Sequence, residues 1–106
     1  MNYREALAFV SSFDNYERKL PKDYSTRRFR LKRTHLLLKR LGNPEKRIII
    51  AHVAGTNGKG STAAFLASIA QAHGYRVGMY TSPHLIDVRE RIQINGDMIS
   101  RAEFSE

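Results

Sequence analysis

A glycine-rich loop carries the clearest chemistry in this sequence of 106 residues. It reads Ala54-Gly55-Thr56-Asn57-Gly58-Lys59-Gly60-Ser61-Thr62 and lies between an apolar run and a helical pattern. Glycines let backbone N–H groups turn toward one point, and a following helix adds free N–H groups and the positive end of its dipole. Lys59 supplies a mobile positive charge for β- and γ-phosphates, and Ser61 and Thr62 supply hydroxyls for a phosphate or for Mg²⁺. The pattern predicts a phosphate-binding loop.

The loop departs from the strict P-loop template, G-x-x-x-x-G-K-[ST]. Val53 stands where the first glycine belongs, and Gly60 separates Lys59 from the first hydroxyl residue. An ordinary glycine-rich turn is therefore the alternative, although a strand before the loop and a helix after it favour the phosphate site. A dinucleotide-binding loop fits poorly because the sequence contains no G-x-G-x-x-G.

The elements that would position this loop follow a strand–loop–helix–strand pattern. Residues 47–54 are β-branched and almost continuously apolar, which is typical of a strand buried on both faces of a parallel sheet. Residues 61–73 have a helical spacing of apolar residues that stops at Gly74, and residues 75–81 form the next predicted strand. The pattern predicts an α/β fold that starts a P-loop-type parallel sheet with a crossover helix.

Two helices are predicted before this unit. The first covers residues 3–13 with Asn2 as its N-cap, and the second begins at Ser25 or Thr26 and stops before Gly42.

A β-hairpin is predicted after the crossover. Residues 91–99 surround Asn95-Gly96, the pair that favours a two-residue turn, and Ser100 and Glu103 form a capping box for a last helix. Because the two crossover strands are too few for a covered parallel sheet, we expect the front part of a larger α/β domain. A small α+β domain that completes itself by oligomerising is the alternative.

The charge balance predicts an attraction to polyanions. The chain has 18 Lys and Arg against 10 Asp and Glu, a net charge of +8, and most of the basic residues fall between residues 18 and 47. Solvated helix faces explain this pattern most simply. A nucleic-acid-binding module is the competing hypothesis, but it is disfavoured because only Tyr24 and Phe29 could stack on bases there.

The amino-acid composition excludes several further classes of protein. The absence of cysteine excludes a disulfide scaffold and a thiolate zinc site. No apolar run approaches the ~18–20 residues of a membrane span, and the first residues lack the apolar core of a secretory signal. These features predict a cytoplasmic protein without membrane association.

The departures of the loop from the P-loop template resemble the ATP loop of folylpolyglutamate synthase and dihydrofolate synthase, in the Mur ligase family. Further pieces are similar to the same family and follow its order along the chain: Leu41-Gly42-Asn43-Pro44, His52-Val53-Ala54, Gly74-Tyr75-Arg76-Val77-Gly78, Tyr80-Thr81-Ser82-Pro83-His84-Leu85, Glu90-Arg91-Ile92 and Ile94-Asn95-Gly96. The resemblance covers roughly residues 36–99.

The resemblance implies an ATP-dependent carboxylate–amine ligase with ATP and Mg²⁺ as cofactors. Its substrates would be folate or dihydropteroate, activated as an acyl phosphate, and glutamate. Residues 1–45 would be a helical segment packing on the ATP domain, of which residues 46–106 would be the first part. The triphosphate would be held by Gly55, Thr56, Asn57, Gly58, Lys59, Gly60, Ser61 and Thr62.

Outside the loop, the resemblance assigns three further residues. Ser82 would bind Mg²⁺, and Phe29 and His84 would contact the pterin-containing substrate. Taken alone, Ser82 is a turn residue before Pro83 and His84 a surface histidine. Another Mur-type ligase is a second enzyme hypothesis, disfavoured by Gly60 and by the run after Ser82.

Two departures from the family matter. Arg30-Leu31-Lys32-Arg33 stands where the family has Gly-Leu-Glu-Arg, which affects the expected pterin contact near Phe29. The family's remaining metal ligands, its modified lysine and its glutamate-binding domain would lie beyond Glu106. We therefore expect the 106-residue chain alone to be inactive, marginally stable and prone to self-association.

Overall fold

The computed structural model describes residues 1–13 and 24–106, without the side chains of 24–27 and 29. Its helices are α1 (Tyr3–Ser11), α2 (Tyr24–Arg40), α3 (Lys59–Ala72) and α4 (Arg101–Ser105), and its strands are β1 (Gly78–Tyr80), β2 (Ile92–Ile94) and β3 (Asp97–Met98). Two 3-10 helices cover Pro44–Arg47 and Val88–Arg91.

The chain forms two compact units. One combines Met1–Ser11 with Val53–Glu106, and the other is Ser12–His52. Helix α1 thus belongs to the same unit as the glycine-rich loop, α3, α4 and the sheet. The functional division at residue 45 stays a prediction.

Helix α1 begins with a reciprocal cap. The side chain of Asn2 accepts the N–H of Glu5 at 2.9 Å, and the carboxylate of Glu5 accepts the N–H of Asn2 at 3.0 Å. This arrangement satisfies two donors that a helix start leaves unpaired. It confirms Asn2 as the predicted N-cap, although α1 ends at Ser11 rather than at Phe13.

Helices α2 and α3 end where the sequence places a glycine. The N–H of Gly74 binds the carbonyl of Gln71 at 2.9 Å and the N–H of Tyr75 binds that of Ala70 at 3.2 Å, which is a Schellman motif. Gly42 closes α2 in the same way, and both glycines have a left-handed φ, 80° at Gly42 and 89° at Gly74. The predicted ends of both helices are confirmed.

The sheet is an antiparallel meander in the order β1-β2-β3. Met79 lies opposite Gln93, and Gln93 lies opposite Met98. The turn between β2 and β3 has φ 50° at Asn95 and 85° at Gly96, as a type I′ turn requires. The predicted hairpin is therefore confirmed, and so is the capping box of Ser100 and Glu103 that starts α4.

The predicted parallel pairing is wrong for the described residues. Residues 48–54 form no strand, and β1 pairs with β2 in the antiparallel direction. The physical reason is that a strand exists only where a neighbour accepts its backbone hydrogen bonds. In the described ranges residues 48–54 are not part of a sheet, and β1 pairs with β2. The α/β class is confirmed, as helices with a small antiparallel sheet.

The unit formed by Met1–Ser11 and Val53–Glu106 buries few side chains. Helix α1 packs against α4, with the rings of Tyr3 and Phe104 edge to face at 5.6 Å between centroids, and α3 packs against β1. Among the described residues only Ala6 of α1 is buried, at 5% exposure. The elements are therefore fixed mainly by caps, turns and strand pairing. No helix in the described ranges is long and apolar enough to cross a membrane.

Candidate phosphate-binding site

The glycine-rich loop leads directly into α3. The helix begins at Lys59, two residues earlier than predicted, and Gly58 is its N-cap with φ 75° and ψ 8°. The N–H of Thr62 binds the carbonyl of Gly58 at 2.9 Å and so closes the first helical turn. The N–H groups of Lys59, Gly60 and Ser61 precede this bond and have no acceptor within the helix. Free N–H groups at a helix start suit an anion, and the phosphate role of this loop stays a prediction.

The side chain of Lys59 folds back over the loop. Its ammonium donates a hydrogen bond to the carbonyl oxygen of Gly55 at 2.6 Å. The positive charge therefore lies at the loop rather than extending away into solvent, and it adds to the field of the α3 dipole. Together these groups can stabilise a polyphosphate.

Among the described residues, nothing packs closely against Gly58 or Gly60 of the loop. A Cβ atom built on Gly58 or Gly60 would meet nothing within 4 Å. Gly58 is required by its left-handed φ, whereas Gly60 has no such backbone. The open space in front of the helix start is what a phosphate group would need.

The polar side chains around the helix start are all exposed. They belong to Thr56, Asn57, Ser61 and Thr62. Hydroxyl and amide oxygens of this kind fit the phosphate and Mg²⁺ contacts predicted for them. No group of three or more His, Cys, Asp or Glu side chains suited to a metal ion exists in the described part of the chain.

Ser82 opens the loop that follows β1, and its side chain is exposed. Near the end of α3, Gln71 donates to the carbonyl of Asn95 at 3.2 Å, and Asn95 in turn bonds to Val77, which precedes β1. Helix α3 packs against β1, the strand that precedes Ser82. The Mg²⁺ role of Ser82 stays a prediction.

His84 is half-buried in the same loop. Its Nδ1 accepts a hydrogen bond from Nε of Arg91 at 2.9 Å, and the carbonyl of Arg91 accepts the N–H of Thr81 at 2.9 Å. Arg91 thus joins the end of β1 to the imidazole of His84. The residue is held by the protein, unlike the solvated surface histidine that is its simplest interpretation.

Glu90 organises the segment between His84 and the 3-10 helix. Its carboxylate accepts the N–H groups of Leu85 at 2.9 Å, Ile86 at 2.9 Å and Asp87 at 2.8 Å. These bonds, with that of Leu85 the largest contribution, hold the pKa of Glu90 below its ordinary value.

A second charged cluster joins this loop to α1. The guanidinium of Arg89 pairs with the carboxylate of Asp87 at 2.8 Å, and the hydroxyl of Tyr3 donates to Asp87 at 3.3 Å. The hydrogen bonds from Arg89 hold the pKa of Asp87 well below its usual range. The sequence analysis gave no role to Asp87, and it named Glu90 only within the resembling piece Glu90-Arg91-Ile92. The pattern Asp87-Val-Arg-Glu90 fits a capping box and could have indicated them.

Phe29, expected near the pterin, lies in α2, but its side chain is outside the described residues. Within the described ranges, no hydrogen bond joins Ser82 or His84 to the glycine-rich loop.

Comparison with known proteins confirms the resemblance. No family model matches the chain. It is 55% identical over 75 residues to the dihydrofolate synthase/folylpolyglutamate synthase of Bacillus subtilis, covering 71% of this chain and 17% of that protein. The solved folylpolyglutamate synthetase of Lactobacillus casei matches with a TM-score of 0.80 and 39% identity over 99% of this chain and 24% of that one. A folylpolyglutamate synthase structure in complex with AMPPCP and folate matches with a TM-score of 0.79 and 40% identity, over 99% of this chain and 23% of that one.

These matches show that the chain is part of an α/β domain found in a class of ligases. The chain is related to folylpolyglutamate synthase/dihydrofolate synthase over nearly its whole length and corresponds to their N-terminal portion. It spans about a sixth to a quarter of the length of the relatives it matches.

Proposed function

We propose that this chain is the phosphate-binding part of an ATP-dependent ligase that joins glutamate to folate or dihydropteroate. One observation carries the proposal: the loop before α3 combines a left-handed Gly58 with a Lys59 ammonium 2.6 Å from the Gly55 carbonyl. A polyphosphate in front of this helix would meet backbone donors and a positive charge at once. The related complex with AMPPCP and folate supports ATP and a folate as ligands.

We assign to individual residues the roles that the resemblance to folylpolyglutamate synthase and dihydrofolate synthase implies. The loop from Gly55 to Thr62 holds the triphosphate, and Ser82 contributes a hydroxyl to Mg²⁺. When bound, Mg²⁺ neutralises charge on the phosphate oxygens. His84 and Phe29 contact the pterin-containing substrate.

The proposed reaction has two steps. A carboxylate oxygen of folate or dihydropteroate takes up the γ-phosphoryl group while the bond to the ADP oxygen breaks, which gives an acyl phosphate. The amine of glutamate then attacks the acyl carbon, loses a proton and displaces phosphate. Lys59 stabilises the negative charge on the moving phosphoryl group, a task of position and electrostatics that needs no protein nucleophile.

The proposal is tested by joining residues 1–106 to the remaining part of the Lactobacillus casei enzyme. We expect the hybrid to add glutamate with consumption of ATP, and we expect the 106-residue chain alone to show no turnover. Assays with folate and with dihydropteroate separate polyglutamate extension from dihydrofolate synthesis. A folded hybrid without ligase activity, beside an active parent enzyme, would contradict the proposal.

A further inference from the structure

Glu90 does more than cap a helix. In a capping box the glutamate at the third helical position accepts one N–H, that of the N-cap residue. Glu90 fills this role for Asp87 and in addition accepts the N–H groups of Leu85 and Ile86.

Two other glutamates in the chain provide an internal comparison. Glu5 accepts the N–H of Asn2 at 3.0 Å, and Glu103 accepts that of Ser100 at 2.6 Å. Each of these capping boxes uses one N–H of the preceding chain. The two additional bonds of Glu90 therefore belong to the loop rather than to the 3-10 helix.

Apolar burial does not order the backbone of residues 85 and 86 within the described part of the chain. The side chains of Leu85 and Ile86 are 90% and 93% exposed, so apolar burial does not fix their backbone. Three charge-assisted hydrogen bonds to one carboxylate do, since each satisfies an N–H that is otherwise left to water. The bond between Arg91 and His84 holds the loop from the preceding residue.

We infer that Glu90 is a positioning residue that fixes the loop carrying Ser82 and His84. This rests on the proposed function, in which Ser82 supplies a Mg²⁺ ligand and His84 a substrate contact. Both carboxylate oxygens of Glu90 accept backbone N–H groups, so its role is exerted through the backbone. It holds the backbone of residues 85–87, and the loop between β1 and that anchor, which includes Ser82, then has its two ends fixed.

The first measurement is amide hydrogen exchange of the 106-residue chain. We expect the N–H groups of Leu85, Ile86 and Asp87 to be protected and to exchange about tenfold faster or more in Glu90→Ala. Glu90→Gln keeps one acceptor oxygen and should lie between the two. Glu103→Ala removes an equivalent cap from α4 and should leave the three amides unchanged. Equal protection in the wild-type chain and Glu90→Ala overturns the inference.

The second measurement separates positioning from general stabilisation. ATP binding to the same variants is compared with Mg²⁺ and with EDTA. We expect Glu90→Ala to lose about tenfold or more in affinity for ATP with Mg²⁺ and little for ATP in EDTA, because the phosphate loop is intact.

Each remaining outcome has a defined meaning. An equal loss of ATP affinity with and without Mg²⁺, or no loss at all, overturns the positioning role. Failure of the wild-type chain to bind ATP counts against the proposed function, and the exchange of the three amides still decides whether Glu90 fixes the loop.

Discussion

The ammonium of Lys59 and the carbonyl oxygen of Gly55 lie 2.6 Å apart, so that the charge is held over the loop that precedes its own helix. A phosphate oxygen bound at the loop would compete with that carbonyl as the acceptor of the ammonium. The charge is thus placed before any ligand arrives, which lowers the entropy lost on binding.

Lys59 should therefore be the strongest single determinant of nucleotide affinity. We expect Lys59→Ala to weaken ATP binding by about tenfold to hundredfold, as the loss of a charged hydrogen-bond donor does, and to abolish turnover in the hybrid ligase. Calorimetry measures the affinity and circular dichroism the helix content, which should stay unchanged. Lys39→Ala removes an exposed lysine of α2 as a control. Wild-type turnover in Lys59→Ala would refute the assignment.

Gly58 and Gly74 form a matched pair for testing the loop. Both have a left-handed φ, 75° and 89°, and open space where a Cβ would lie, but only Gly58 faces the proposed phosphate. Substitution of either by alanine should cost about 1–2 kcal/mol of stability through backbone strain. We expect Gly58→Ala to weaken ATP binding as well, whereas Gly74→Ala should not. Denaturant unfolding and ATP titration measure the two effects, and equal ATP affinities in both variants would contradict the phosphate role.

The features predicted correctly from the sequence are local ones. The cap at Asn2 and the turn at Asn95 and Gly96 depend mainly on residues a few positions apart in the sequence. The prediction of a strand at residues 47–54 is wrong, because a strand forms only beside another strand that accepts its hydrogen bonds. The β-branched residues favour an extended backbone, but this propensity does not provide a neighbouring strand for hydrogen bonding.

The site shows the same distinction. The loop before α3 was predictable because its glycines, lysine and helix are consecutive in the chain. The anchoring of residues 85–87 was not predicted. A capping-box pattern indicates one N–H bound by the glutamate, and it does not reveal that two further backbone N–H groups donate to the same carboxylate. The contact of Tyr3 with Asp87 spans 84 positions and follows from the packing of α1 against α4.

Acid should release the loop that Glu90 holds. Its pKa is lowered by the N–H groups of Leu85, Asp87 and Ile86, in that order, so the carboxylate is stabilised in the folded chain. Stability of this kind is present above the ordinary pKa of 4.5 and is lost as the pH falls through the lowered folded-state value. We expect the protection factors of these three amides to fall in that acidic range. The amide of Asn95, bonded to the Val77 carbonyl at 2.8 Å, is the control.

The expected change in protection has a definite direction, a loss in acid. Loss of protection on raising the pH from 5 to 7, or an equal acid loss at Asn95, would contradict the role of the carboxylate.

Ser82 should affect Mg²⁺ and not ATP itself. Its exposed hydroxyl lies in the loop after β1 and is an oxygen donor of the kind that Mg²⁺ takes in an octahedral site. In the hybrid ligase we expect Ser82→Ala to raise the Mg²⁺ concentration for half-maximal activity by about tenfold, as one lost oxygen ligand would. The exposed Ser68 of α3 provides the control variant Ser68→Ala. An unchanged Mg²⁺ dependence in Ser82→Ala would make Ser82 a turn residue only.

The segment 48–50 should make the isolated chain associate. Ile49 is 99% exposed, Ile48 64% and Ile50 62%, and this stretch of backbone forms no ladder. Contiguous exposed apolar side chains beside unpaired N–H and carbonyl groups are a template for pairing with another chain. We therefore expect sedimentation equilibrium to show self-association that strengthens with protein concentration.

A charge within this segment should reverse the association. Ile49→Lys places a solvated ammonium where another copy would pack, and burial of one isoleucine contributes about 1.5–3 kcal/mol, so the dissociation constant should rise about tenfold or more. Ile86→Lys is the matched control, since Ile86 is 93% exposed and lies outside the segment. Weakened association in Ile49→Lys alone assigns the contact to residues 48–50. A monomeric wild-type chain at all concentrations, with a cooperative thermal transition, would show that the exposed isoleucines do not drive association.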